Sequence, residues 1–192
     1  MPKARRVLDT KKKQIEDNLL SLLAQVKDAL QQSVVCLSSG EETVCRTIVE
    51  QDSEINEKRR VIEHDCFMVI ALHQPVSHDL REIVAATRIA GELERIADYA
   101  SDNASIIMQM DGTKLTELGI ENVLKMSSLS THMLDEVFKA YLQRNVEKAK
   151  KTAKMDDDID AEQAELVQKL FARMQSAPAQ VPNASRMLWI SH

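Results

Sequence analysis

Gln74-Pro75-Val76-Ser77-His78-Asp79-Leu80-Arg81 is the stretch on which the fold turns. Proline lacks an N–H and disfavours helical backbone in the residue before it. One helix therefore ends at Gln74, and the next begins near Ser77. Upstream, Val44, Ile48, Ile55, Ile62, Cys66 and Val69 recur at helical spacing and form one apolar stripe over about residues 41–73. Two positions of that stripe, Asp52 and Arg59, are polar. Downstream, Ala86, Ala90, Gly91, Ala97, Ser101 and Ala104 give the helix over about residues 77–110 a small-residue face that lets neighbours approach closely. Long helices joined by so tight a turn run antiparallel.

Working outward, Leu8, Ile15, Leu19, Leu22, Val26 and Leu30 stripe a first helix over about residues 8–37. Ser38-Ser39-Gly40 interrupts it, and Ser39 with Glu42 matches a capping box opening the next helix. After Asp111-Gly112 the pattern begins again. A fourth helix is expected over residues 115–143, with Val123, Leu124, Leu134, Val137 and Tyr141 inward, and a fifth over 146–175, capped by Asn145. Pro178 and Pro182 mark a loop, and residues 184–192 read as the opening of a sixth helix. The segment Gln51-Asp52-Ser53-Glu54-Ile55-Asn56 matches Met155-Asp156-Asp157-Asp158-Ile159-Asp160, and residues 88–91 match 189–192. The expected architecture is all-α: two tandem three-helix bundles, residues 1–111 and 112–192, the second incomplete in its last helix. On that reading the chain is truncated, and a native protein of 21.7 kDa by mass spectrometry would refute it.

Composition agrees. Only six residues are aromatic, and glycine and proline number four each, whereas strands and turns draw on those types. Apolar residues make up 44%, enough for a core, and a net charge of −5 gives no basic face for nucleic acid. The basic cluster Lys3, Arg5, Arg6, Lys11, Lys12 and Lys13 reads as a solvated helix start. Cys36, Cys45 and Cys66 form no C-x-x-C pair and are expected as reduced thiols of a cytosolic protein. The longest apolar run, residues 66–72, is too short to span a membrane, and no apolar segment follows the basic N-terminus as a secretion signal requires.

The chemistry lies in oxygen-bearing pairs at i, i+4: Asp52 with Asn56, Glu94 with Asp98, and Asp156 with Asp160. This spacing sets both side chains on one helical face. Counted from Pro75, Asp52 and Glu94 fall at similar heights on antiparallel helices. Clustered carboxylates repel each other, and a hard or intermediate cation such as Mg, Mn or Fe relieves the repulsion. A solvated face is the ordinary reading of any one pair. Against it stand the intrusion of Asp52 into an apolar stripe, the alanine-rich setting of Glu94 and Asp98, and the recurrence in both halves. A ferritin-like site needs Glu-x-x-His, which no histidine here completes. His78-Asp79 reads as a capping turn. The Arg81, Arg88, Arg95 ladder reads as partners for carboxylates, and no nucleophile or phosphate-loop motif occurs.

Residues 74–81 together with Ile89-Ala90-Gly91-Glu92-Leu93-Glu94-Arg95-Ile96-Ala97-Asp98 resemble the most characteristic stretch of the PhoU family, and the two Asp-rich segments resemble its repeated helix-two motif. The resemblance implies two tandem three-helix bundles that bind a metal ion (iron, zinc, magnesium or manganese). It implies a non-enzymatic, cytoplasmic and often homodimeric regulator of phosphate-starvation signalling. Such a protein acts between a phosphate ABC transporter ATPase and a phosphate-sensing histidine kinase, and meets the membrane only through partners. By position the metal ligands would be Asp52, Asn56, Glu94 and Asp98 in the first half and Asp156 and Asp160 in the second. A carboxylate-bridged metalloenzyme and a metal-free helical adaptor are the competing readings.

Overall fold

The computed structural model describes residues 3–110 and 118–191. The expected boundary at Asp111-Gly112 and the expected start of the fourth helix at Leu115 lie outside those residues. Among the described residues there is no strand, and no helix is long and apolar enough to cross a membrane.

The long helices follow their stripes. In α1 (Lys3–Ser39), Leu8, Ile15, Leu19, Leu22 and Val26 are buried. In α2 (Glu42–His73) the buried set is Cys45, Ile48, Ile55, Ile62, Cys66 and Val69. In α3 (Ser77–Ile107) it is Ile83, Ala86, Ala90, Leu93, Ala97, Ala100, Ala104 and Ile107. Gly91 does not share in that close packing, because a Cβ there would meet nothing within 4 Å. The turn between α2 and α3 places Gln74 and Ser77 at φ of 45° and 50°, left-handed values uncommon for residues with side chains. Pro75 is buried between them.

The chain divides into two compact units, and their limits differ from those of the sequence repeat. Met1–Ala29 with Thr47–Asp102 form the first, and Leu30–Arg46 with Asn103–His192 form the second. Within the first, Lys58 Nζ donates to Ser21 Oγ at 2.6 Å, tying α2 to α1. Arg5 and Lys12 of α1 reach Asp79 of α3, each at 2.6 Å, and Lys12 also pairs with Glu82. Asp79 thus belongs to an ion-pair knot, where the sequence suggested only a capping turn. Those cations hold its carboxyl below the usual range, and the hydrogen bond from Lys12 is the largest cause.

The second unit holds α4 (Ile120–Leu142), α5 (Val146–Ala153), α6 (Asp156–Ser176), a short 3-10 turn at Pro178–Gln180 and α7 (Val181–Ile190). α4 packs on α5 and α6, and α7 packs on α6. Asn145 caps α5 as expected, its side chain accepting from the Lys148 N–H at 2.9 Å. Glu136 of α4 bonds Lys139 and the α5 residue Lys148, which together hold its carboxyl at about 2.

Several expectations need correction, among them the loop at Pro178 and Pro182, where a 3-10 turn runs into α7 from Val181. The helix expected over residues 146–175 is two helices, broken at Lys154-Met155. Aspartate disfavours helix interiors and suits first turns, where it meets the positive end of the helix dipole. Asp156-Asp157-Asp158 accordingly starts a new helix. Leu124 and Val137 are exposed, while Asn122, Met126, Phe138 and Ala140 turn inward. Finally, Cys36 and Cys45 are a disulfide, not two thiols. The α1–α2 turn closes the gap that a C-x-x-C spacing would close locally, bringing the two Cα atoms to 5.2 Å. Ser39 there accepts from the Glu41 N–H at 3.1 Å, but Glu42 pairs with Arg46, so the expected reciprocal cap is half formed. Cys66 remains a buried thiol, its pKa raised mainly by burial.

Candidate metal centre

The first unit brings Asp52 of α2, with Asn56 one turn on, to the side of α3 that carries Asp98. The α2 stripe is interrupted at Asp52, so its carboxylate enters the helix interface where an aliphatic side chain would otherwise pack. Asn56 stands one turn on and donates through Nδ2 to Asp52 Oδ2 at 2.9 Å. The other oxygen, Asp52 Oδ1, is buried and accepts no hydrogen bond.

Asp98 faces this pair. Burial pushes its carboxyl above the ordinary range. The negative charge of Asp52 and a hydrogen bond with it push the same way, Asp102 adds a smaller repulsion, and Arg59 acts against them. Two carboxylates at hydrogen-bond reach do not both ionise freely: they share a proton or a cation.

Glu94 sits on the same face of α3, one turn before Asp98, but it is engaged elsewhere. Arg59 Nε lies 3.4 Å from Glu94 Oε1, and the same guanidinium bonds Glu63. All three side chains are largely enclosed, at 27%, 17% and 26% exposure for Arg59, Glu94 and Glu63. The sequence marked Arg59 as a polar intruder in the stripe. Its i, i+4 relation to Glu63 was legible, whereas its reach across to Glu94 depends on helix rotation.

A cation fits part of this arrangement. The unpartnered Asp52 Oδ1 and the strained Asp52–Asp98 pair supply hard oxygen donors in need of positive charge. The side-chain oxygen of Asn56 is a further donor. Glu94 could join only by leaving Arg59. In the second unit Asp156 and Asp160 are exposed on the first turns of α6.

Two polar clusters escaped the sequence reading. Asn122, 4% exposed, donates to Glu162 Oε2 at 3.1 Å and accepts from Lys169 Nζ at 2.8 Å, linking α4 to α6. Among the described residues, His78, Asp79 and Glu82 offer three metal-type ligand atoms mutually within 4.8 Å. Lys12 already bonds both of those carboxylates.

The PhoU domain model matches residues 8–107 and again 123–192. The chain belongs to the PhoU family. It is 25% identical over 187 residues to the phosphate-specific transport system accessory protein PhoU homolog of Clostridium acetobutylicum, covering 97% of this chain and 85% of that protein. Among solved structures, it aligns with the phosphate transport system regulatory protein PhoU from Streptococcus pneumoniae at a TM-score of 0.88 and 26% identity, covering 96% of this chain and 86% of that one. It aligns with PhoU from Pseudomonas aeruginosa at 0.89, with 23% identity over 95% of this chain and 88% of that one. These likenesses establish the PhoU fold, and the paired match agrees with the repeat read between residues 51–56 and 155–160.

Proposed function

We propose that this chain is a metal-binding accessory regulator of a phosphate transport system, without enzymatic activity of its own. It works in the cytoplasm as a homodimeric adaptor between the transporter's ATPase and a phosphate-sensing histidine kinase. Its relatives carry the name of accessory protein to phosphate-specific transport, which supports the transport half of this reading. The metal half rests on one observation: the buried, unpartnered Asp52 Oδ1 beside the Asp98 carboxyl. Asp52, Asn56 and Asp98 would hold the ion, with Glu94 as a conditional fourth ligand. The ion would replace a shared proton and stiffen the α2–α3 interface of the first unit. Asp156 and Asp160 would bind a second ion only with donors from outside their own helix.

A metal-free adaptor is the second reading, favoured by the Arg59–Glu94 pair, which occupies one expected ligand. Elemental analysis of untagged protein separates the two. The first reading expects metal that is lost, with thermal stability, in Asp52→Asn. Equal metal content in the variant would remove it. The adaptor role is tested by recovery of the transporter ATPase with this chain from cells grown in high phosphate. Its absence from such eluates would count against that role.

A further inference from the structure

Cys36 lies in the last turn of α1 and Cys45 in the first turn of α2, either side of a turn at Gly40 with φ of 66°. Backbone bonds that do not involve sulfur hold this turn. The Gly40 N–H donates to the Cys36 carbonyl at 2.9 Å, and the Cys45 N–H to the Glu41 carbonyl at 3.3 Å. The Cα separation of 5.2 Å is therefore set by the helix hairpin, and the reduced thiols would still face each other. Reactive groups held in this way meet at high effective concentration, so the bond can re-form after it is broken.

The couple has no internal competitor. Cys66 stands farther along α2, roughly 30 Å away at about 1.5 Å per residue. It is buried in the first unit. The disulfide belongs to the second unit, in the Leu30–Arg46 segment that packs with Asn103–His192. Both sulfur-bearing residues are enclosed, at 0% and 1% exposure, while residues 38–43 around them are exposed. Small openings of the hairpin end would thus admit a reductant.

The geometry points to a reversible two-electron redox clasp: Cys36 and Cys45 set the rigidity of the hairpin end built into the second unit. In reduction, one thiolate of a dithiol reductant attacks either sulfur. The protein S–S bond breaks and the other sulfur leaves as a thiolate that takes a proton. The reductant's second thiol then resolves the mixed disulfide, releasing the second protein thiol and leaving the reductant as a disulfide. Oxidation by glutathione disulfide runs the same exchange backwards, releasing two glutathione molecules. Opening the clasp restores freedom to a short loop that the cross-link had restrained.

The test uses the full chain equilibrated in glutathione buffers from fully reduced to fully oxidised, quenched in acid, unfolded and alkylated with iodoacetamide. Intact mass should show one alkyl group in oxidising buffer and three in reducing buffer, with a reversible midpoint between. Amide exchange should quicken by about tenfold in Leu30–Arg46 on reduction and stay unchanged in residues 55–69. The variant Cys36→Ser/Cys45→Ser should take one alkyl group and show the faster amide exchange of the reduced chain in every buffer. If that variant does not fold, wild-type chain held in a phosphine reductant supplies the same comparison. One alkyl group in all buffers would reduce the bond to a permanent cross-link, and three in all would abolish it. Equal exchange in both states would remove the conformational role. Any of these three results overturns the proposal.

Discussion

Asp98 of α3 faces Asp52 of α2, and burial, then the negative charge of Asp52, raise the Asp98 carboxyl above its ordinary range. Because the folded-state pKa lies above the unfolded value, folding favours the protonated form. That contribution is present below pH 3.8, the ordinary aspartate value, and is lost as the pH rises through the folded pKa. At neutral pH the ionised Asp98 is a cost in metal-free protein. Asp98→Asn should raise the melting temperature of chelator-treated protein by about 2–4 °C at pH 7. At pH 3 the gain should vanish. A lower melting temperature at pH 7 would mean that the charged form is stabilised.

Arg59 pairs with Glu94 across the α2–α3 interface, its Nε 3.4 Å from Glu94 Oε1, and its guanidinium also bonds Glu63. Arg59→Ala should destabilise the chelated protein by about 1–2 kcal/mol, because it strips two enclosed carboxylates of their partner. It should also tighten the binding of manganese several-fold by freeing Glu94. Isothermal titration of variant and wild type reads the affinity, and weaker binding would exclude Glu94 as a ligand held in reserve.

Lys12 neutralises Asp79 and Glu82 at the start of α3. Lys12→Met should cost about 1–2 kcal/mol at pH 7 by leaving those carboxylates facing each other. Asp79 is held low, so its stabilisation is present above the unfolded pKa of 3.8 and is lost as the pH falls through the folded one. The gap between variant and wild type should therefore narrow as the pH drops below 3.8. Urea titrations at pH 7 and pH 3 measure it, and a gap independent of pH would point to lost packing instead.

Gly119 and Gly40 both have positive φ, but only one is crowded. A Cβ on Gly119 would lie 2.5 Å from Leu166 Cδ1, a fully buried side chain, while one on Gly40 meets nothing within 4 Å. Gly40→Ala should cost about 1 kcal/mol for the backbone alone. Gly119→Ala should cost about 2–4 kcal/mol, since overpacking adds to it. Equal costs in denaturant titrations would show that Leu166 moves aside freely.

The proline turn and the apolar stripes were legible because each depends on local chemistry that one chain segment carries alone. Pro75 ends a helix by the conformation it imposes on Gln74, and Leu19 or Ile62 marks a buried face by period. The meeting of Asp52 with Asp98 was legible as far as matched heights allow. What stayed hidden depends on rotation and on distant partners. Arg59 could point to Glu63 or Glu94, and it takes both. Leu124 and Val137 are apolar and yet exposed, since α5 and α6 cover a different arc of α4. Cys36 and Cys45 pair through a turn whose closure no spacing rule expresses. The break before Asp156 was open to reading from its three consecutive aspartates, but the repeat alignment favoured a continuous helix.

That break has a mechanical consequence. A continuous helix resists bending along its whole ladder of i→i−4 bonds, whereas α5 and α6 are coupled by a single tightened turn at Lys154-Met155. Each piece can settle against α4 on its own terms.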